Sequence, residues 1–114
     1  WNGEQHIAFP AYNGILRFDL SEQGVDADWL RNEILTIRLR SGGERMKLAF
    51  NRPTKSLKYH YQACNVPAWE RARLPIITTG EGAVLFAAGI GMDCHHLRNT
   101  LGQKISLHWQ ADNI

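Results

Sequence analysis

Nine of the thirteen Lys and Arg in this sequence fall within residues 38–73, and only Glu44 and Glu70 accompany them. That segment carries a formal charge of +7, although the 114-residue chain carries only +2. The residues before it are net acidic, at −4, and those after it carry −1. Guanidinium and ammonium groups at this density are the sequence footprint of a surface that binds a polyanion. The competing reading is a solvated basic face that offsets an acidic one.

Other residue sets could do chemistry, and each falls short. Ser41-Gly42-Gly43 begins like the Ser-Gly-Gly-x-Asp-Ser loop of PP-loop nucleotide sites, but Arg45 and Met46 stand where the Asp and Ser would be. Pro53 also puts the next helix too late for a strand-to-helix phosphate loop. The two glycines beside Arg45 read instead as an anion cradle of backbone N–H groups, against a plain turn carrying an exposed Arg. Cys94-His95-His96 with Cys64 lacks the paired ligand spacing of a zinc site. No Ser/His/Asp or Cys/His set emerges, so neither a catalytic residue nor a metal is expected in this chain. Tyr59, Tyr61 and Trp69 lie near Lys58 and Arg71, where rings can stack on bases. Tyr61 and Trp69 fall on a helical stripe and read as core, which leaves Tyr59 as the contact candidate.

Short elements must position these side chains. Residues 5–9 alternate, Asn13-Gly14 marks a turn, and Leu16, Phe18 and Leu20 share one side of the next strand, giving a hairpin. Asp26 is placed to cap one helical turn over residues 26–30. Residues 35–40 form the clearest strand: Leu35, Ile37 and Leu39 face inward, and Thr36, Arg38 and Arg40 outward. Two arginines about 7 Å apart on one face suit adjacent phosphates. A helix follows from Pro53 or Thr54 with Leu57, Tyr61 and Cys64 as its buried stripe and Asn65 at its end. A second, short helix spans residues 68–74, with Trp69 and Ala72 on its stripe. Residues 76–79 and 83–90 make an apolar hairpin, residues 91–102 are polar and irregular, and residues 104–109 alternate as a last strand. The sum is α+β: a layered domain with a small β-sandwich or mixed sheet and a central pair of short helices.

In order and spacing, Arg40-Ser41-Gly42-Gly43-Glu44-Arg45, Arg52, Lys55, Leu57-Lys58, Gln62, Val66-Pro67, Trp69, Arg71, Leu74-Pro75 and Ala88-Gly89-Ile90-Gly91 resemble the C-terminal domain of bacterial tRNA(Ile)-lysidine synthases. The resemblance covers residues 35–93, about half the chain. The chain departs from the family pattern at Met46, where Phe is usual, at Asn51, where Gly is common, and at Tyr59-His60-Tyr61, which replaces Lys-x-Phe and removes one positive charge.

The resemblance implies an ATP-dependent ligase that joins lysine to the wobble cytidine of an isoleucine tRNA. ATP and Mg would belong to a PP-loop catalytic domain elsewhere in the protein, which would be a partner of this one. The C-terminal domain of the family contacts the tRNA acceptor stem, and its fold is similar to a domain of the phenylalanyl-tRNA synthetase β chain. Arg38, Arg40, Arg45, Arg52, Lys55 and Lys58 would then hold the RNA backbone. Arg71 and Arg73 would either join them or pair with Glu44 and Glu70. The alternative is a structural or dimerisation module with no RNA contact.

Length supports one domain over residues 1–114, read as the C-terminal piece of a longer chain. No apolar run approaches the ~20 residues of a membrane-crossing helix. With two cysteines and no export signal visible, reduced thiols and a cytoplasmic location are expected.

Overall fold

The structure, a computed structural model, describes residues 1–97 and 102–112. Strand β1 (His6–Phe9) turns through one 3-10 turn (Pro10–Tyr12) into the long strand β2 (Gly14–Asp26). Asn13 closes that turn at φ 55°, a left-handed conformation that Asn tolerates better than most residues. The hairpin is antiparallel, with Ile7 opposite Leu16, and β9 (Lys104–Ala111) pairs along the other edge of β2 to complete a three-stranded sheet.

Helix α1 (Ala27–Asn32) follows β2 directly, with the Asp26 carboxylate accepting from the Asp28 N–H as the sequence predicts. The second sheet has the order β3 (Thr36–Arg38), β6 (Ile76–Thr78), β7 (Val84–Ala87), β8 (Gly91–Met92), and all its pairings are antiparallel. The main core joins the two sheets: Leu16, Phe18, Ile105 and Leu107 from the first meet Ile77, Leu85 and Phe86 from the second, with Leu30 of α1 among them. This is the expected sandwich.

The second sheet is covered on its other face as well. Ile76, Val84 and Ala87 pack there against Met46, Leu57 and Tyr61. Those residues come from a third layer, the two-residue strands β4 (Arg45–Met46) and β5 (Lys55–Ser56) and the helix α2 (Leu57–Ala63). Burial on both faces explains why β6 and β7 read as continuous apolar runs rather than alternating ones. Leu85 and Phe86 both reach the main core because the β6–β7 register slips between Ile77 and Thr78.

Several expectations need correction. Leu20 is 71% exposed, because β2 breaks register against β9 between Leu20 and Val25. Strand β3 stops at Arg38, and Leu39 is exposed. Helix α2 begins at Leu57, where the Ser56 hydroxyl accepts from the Tyr59 N–H, because Lys55 and Ser56 are held in the β4–β5 ladder. Its buried stripe is Leu57, His60 and Tyr61, and Cys64 is exposed. Asn65 (φ 58°) ends the helix in a Schellman turn, with Val66 N–H donating to Tyr61 O and Asn65 N–H to Gln62 O. Helix α3 (Ala68–Arg71) is a single turn, and Trp69 on it is 73% exposed rather than core. The apolar arm over residues 83–90 ends as a strand at Ala87, and a turn leads into β8. Of the segment expected to be irregular, residues 98–101 lie outside the described residues.

Candidate nucleic-acid interface

The basic segment builds the third layer and the connections around it. Its first feature is an internal anion site. Gly42 and Gly43 take φ 104° and 82°, which turns the chain sharply after β3. The Glu44 carboxylate folds back into that turn. Its Oε2 accepts from the Ser41 N–H at 2.8 Å, the Ser41 hydroxyl at 2.9 Å and the Arg38 guanidinium at 2.7 Å. Its Oε1 accepts from the Gly42 N–H at 2.9 Å. The turn does cradle an anion, but with the N–H groups of Ser41 and Gly42 rather than of both glycines, without Arg45, and the anion is the chain's own carboxylate rather than a phosphate. Burial opposes the charge on Glu44, but the Ser41 N–H, the Arg38 guanidinium and the Ser41 hydroxyl outweigh it and hold the carboxyl at about 2.

Arg38 is thus half-buried and neutralised. Among the described residues, the remaining eight cations of the segment have no carboxylate partner; the other Arg–carboxylate pairs, Arg17–Asp19 and Arg31–Asp28, lie in the acidic first third. In particular, Arg71 and Arg73 do not pair with Glu44 or Glu70. Arg71 instead donates its Nε to Val66 O at 2.8 Å, which ties α3 to the end of α2.

The predicted contact residues fall into local groups. Arg40 lies over the Tyr61 ring, its guanidinium carbon 5.4 Å from the centroid. Arg45 is exposed on β4 and donates to Thr54 O at 2.9 Å, which fixes its direction without neutralising it. Arg52 is exposed in the turn after Ala49, and Lys58 is exposed on the first turn of α2. The Lys55 ammonium sits 5.2 Å from the centre of the Tyr59 ring, and Tyr59 is 50% exposed, edge-on to His60. Cation and aromatic here form one surface unit, a cation–π pair. His60 is buried and reaches Met46 O at 2.9 Å, which clamps α2 to the β4–β5 hairpin that carries Arg45 and Lys55.

Trp69, which helical spacing puts in the core, is exposed on α3 instead. One helical turn between Pro67 and Pro75 is too short to show a stripe, and the two flanking prolines were the available signal. Among the described residues, no three His, Cys, Asp or Glu converge in a way that could hold a metal ion. No helix there is long and apolar enough to cross a membrane.

Fold and charge together define a small α+β domain: a two-sheet sandwich whose third layer carries uncompensated cations. Comparison with known proteins gives the family. The profile of the TilS substrate C-terminal domain matches residues 35–109, and the chain belongs to that family. It is 40% identical over its whole length to the tRNA(Ile)-lysidine synthase of Nitrosomonas europaea, of which it covers 25%. It is 42% identical over 78% of its length to the enzyme of the same name from Ralstonia nicotianae, of which it covers 19%. The chain thus spans a quarter or less of these relatives. The crystal structure of a TILS C-terminal domain superposes with a TM-score of 0.68 at 25% identity, covering 96% of this chain and 92% of that one.

Proposed function

We propose that this domain docks the acceptor stem of an isoleucine tRNA on behalf of a tRNA(Ile)-lysidine synthase, the cytoplasmic ATP-dependent ligase that joins lysine to the wobble cytidine. The observation that carries this reading is the set of eight cations left without carboxylate partners inside the segment that the family profile matches. A-form RNA buries its base edges in a deep, narrow groove, so proteins hold duplex RNA by phosphates, 2′-hydroxyls and shape. Arg40, Arg45, Arg52, Lys55, Lys58 and Arg71 supply phosphate donors, and Tyr59 supplies a stacking face. Arg38 acts one step back, by fixing the Glu44 loop from which Arg40 and Arg45 project.

The domain performs no chemistry in this account. Lysine transfer, ATP and Mg belong to a catalytic domain outside this chain, and docking the stem helps deliver the distant anticodon to it. A second reading, a bracing or dimerisation module, draws on the exposed apolar side chains of Leu20, Ile34 and Phe50. The test is affinity for an acceptor-stem hairpin against an anticodon hairpin, beside the size of the chain across a concentration series. Preference for the acceptor hairpin supports docking. Equal binding with concentration-dependent dimerisation supports the second reading.

A further inference from the structure

A cleft of about 270 Å³ opens where the end of the first sheet meets α3 and the turn after it. Tyr12, Trp109 and Asp112 line it from the sheet, and Glu70, Arg73 and Leu74 from the other side. Its volume lies just under the range of about 300–1,000 Å³ that holds drug-sized ligands, so it suits a single small ring system. The walls are fixed by the fold. Trp109 lies so close to Gly14 that a Cβ there would overlap its six-membered ring, and it stacks on Phe9 at 6.5 Å. The Asp112 N–H donates to Asn13 O at 2.8 Å and ties the end of β9 to the turn that carries Tyr12. The Arg73 N–H donates to Glu70 O at 3.0 Å, which keeps these two residues on one turn of chain.

Arg73 is the cation of the basic segment that the docking surface leaves unused. It is exposed, and among the described residues it pairs with no carboxylate, although Glu70 and Asp112 line the same cleft. The cleft therefore presents three charged groups that do not neutralise one another, beside the half-buried side chains of Tyr12, Leu74 and Trp109. A carboxylate only accepts hydrogen bonds and a guanidinium only donates them. Aromatic rings add a flat wall on which a base can stack. A zwitterionic amino acid would satisfy the charges and leave the rings without a partner. A nucleobase with an exocyclic amine satisfies both: the amine donates to a carboxylate, and a ring acceptor or the phosphate meets Arg73.

We infer that this cleft binds one unpaired nucleotide whose base carries an exocyclic amine, which admits adenine, cytosine and guanine and disfavours uracil. The nucleotide belongs either to an RNA strand or to a free mononucleotide. The RNA form rests on the docking reading above, because an acceptor stem carries an unpaired 3′ strand beside its duplex. The site itself does not rest on that reading.

The test is a titration of the ¹⁵N-labelled full chain with AMP, CMP and UMP at matched ionic strength, read at the Trp109 indole N–H. Saturable shifts with AMP and CMP are expected, with UMP weaker by about tenfold, the scale of one hydrogen bond to a charged group. Arg73→Gln should weaken AMP and CMP by a similar factor. Replacing both acids, Glu70→Gln with Asp112→Asn, supplies amide donors and should narrow the gap between CMP and UMP. All of these substitutions are at exposed positions, so folding is expected to survive them. No saturable shift at Trp109, equal affinity for UMP, or no effect of Arg73→Gln would overturn the site. Two acceptor-stem hairpins, one with an unpaired 3′ strand and one blunt, then separate the sources. If the first binds more tightly and displaces AMP from Trp109, the ligand is RNA. If the mononucleotides bind as described and neither hairpin binds, the site serves a free nucleotide and the docking reading fails. If both hairpins bind and no mononucleotide moves Trp109, docking stands and this site does not.

Discussion

Arg38 donates to Glu44 Oε2 at 2.7 Å across the Ser41-Gly42-Gly43 turn, and this pair decides which cations of the basic segment face solvent unpaired. Glu44 could have neutralised any of several neighbours. Because Arg38 and two backbone N–H groups saturate it, Arg40 and Arg45 on either side of the turn keep their charge free of a carboxylate. The turn is therefore a scaffold for the interface more than a part of it.

Glu44→Gln should destabilise the domain by about 1–3 kcal/mol at pH 7, the range for leaving buried partners of a charged group unsatisfied. The carboxyl sits at about 2 when folded and near 4.5 when unfolded. Its depressed value means that the ionised group contributes fully above about 4.5, and that the contribution is lost as the pH falls through about 2. Urea unfolding of both proteins between pH 7 and pH 2 should show the difference shrinking toward the acid end. A constant difference would contradict the assignment.

The His60–Met46 link should hold the hairpin that bears Arg45 and Lys55. His60→Ala is expected to lose about 1–3 kcal/mol through the vacated space and the orphaned carbonyl. Amide exchange at Arg45 and Lys55 should accelerate more than at Ile77. Uniform acceleration would mean that the clamp is global rather than local.

Trp69→Ala should change stability by less than about 0.5 kcal/mol, as surface substitutions usually do. Leu85→Ala, at a fully buried position, should lose about 2–5 kcal/mol. Thermal unfolding of the pair checks the reassignment of Trp69 from core to surface. A large loss in Trp69→Ala would return it to a packing role.

Gly24 marks the register break in β2, where a Cβ would lie 2.6 Å from the Ile105 carbonyl carbon. Gly24→Ala should destabilise by about 1–3 kcal/mol, the usual range for overpacking. The effect should appear as lost amide protection along β9. Retained protection would show that the two strands can separate there without harm.

The sequence made the elements with simple periods legible. The β1–β2 hairpin with its Asn13-Gly14 turn, the Asp26 cap, the buried β6–β7 pair and the alternating last strand were readable from residue order. The third layer was not, because β4 and β5 contribute two residues each and carry no period. Cys64 and Trp69 were placed inward because a stripe was extended past the ends of short helices. Leu20 was misplaced because alternation in one strand says nothing of a register break against its partner. Charge density located the interface segment. That Glu44 fills the glycine turn and takes Arg38 out of the free set depends on how the loop folds back, which residue order does not encode as a pattern.

The most direct test of the central claim is the salt dependence of binding to an acceptor-stem hairpin, for the wild-type chain and for Arg45→Glu, Lys58→Glu and Arg17→Glu. Each phosphate contact should contribute ~0.7–0.9 to the slope of log affinity against log salt. The account predicts a steep slope, reduced by about that amount in Arg45→Glu and Lys58→Glu and unchanged in Arg17→Glu, since Arg17 is paired with Asp19 outside the interface. A shallow slope, or equal losses in all three variants, would contradict it.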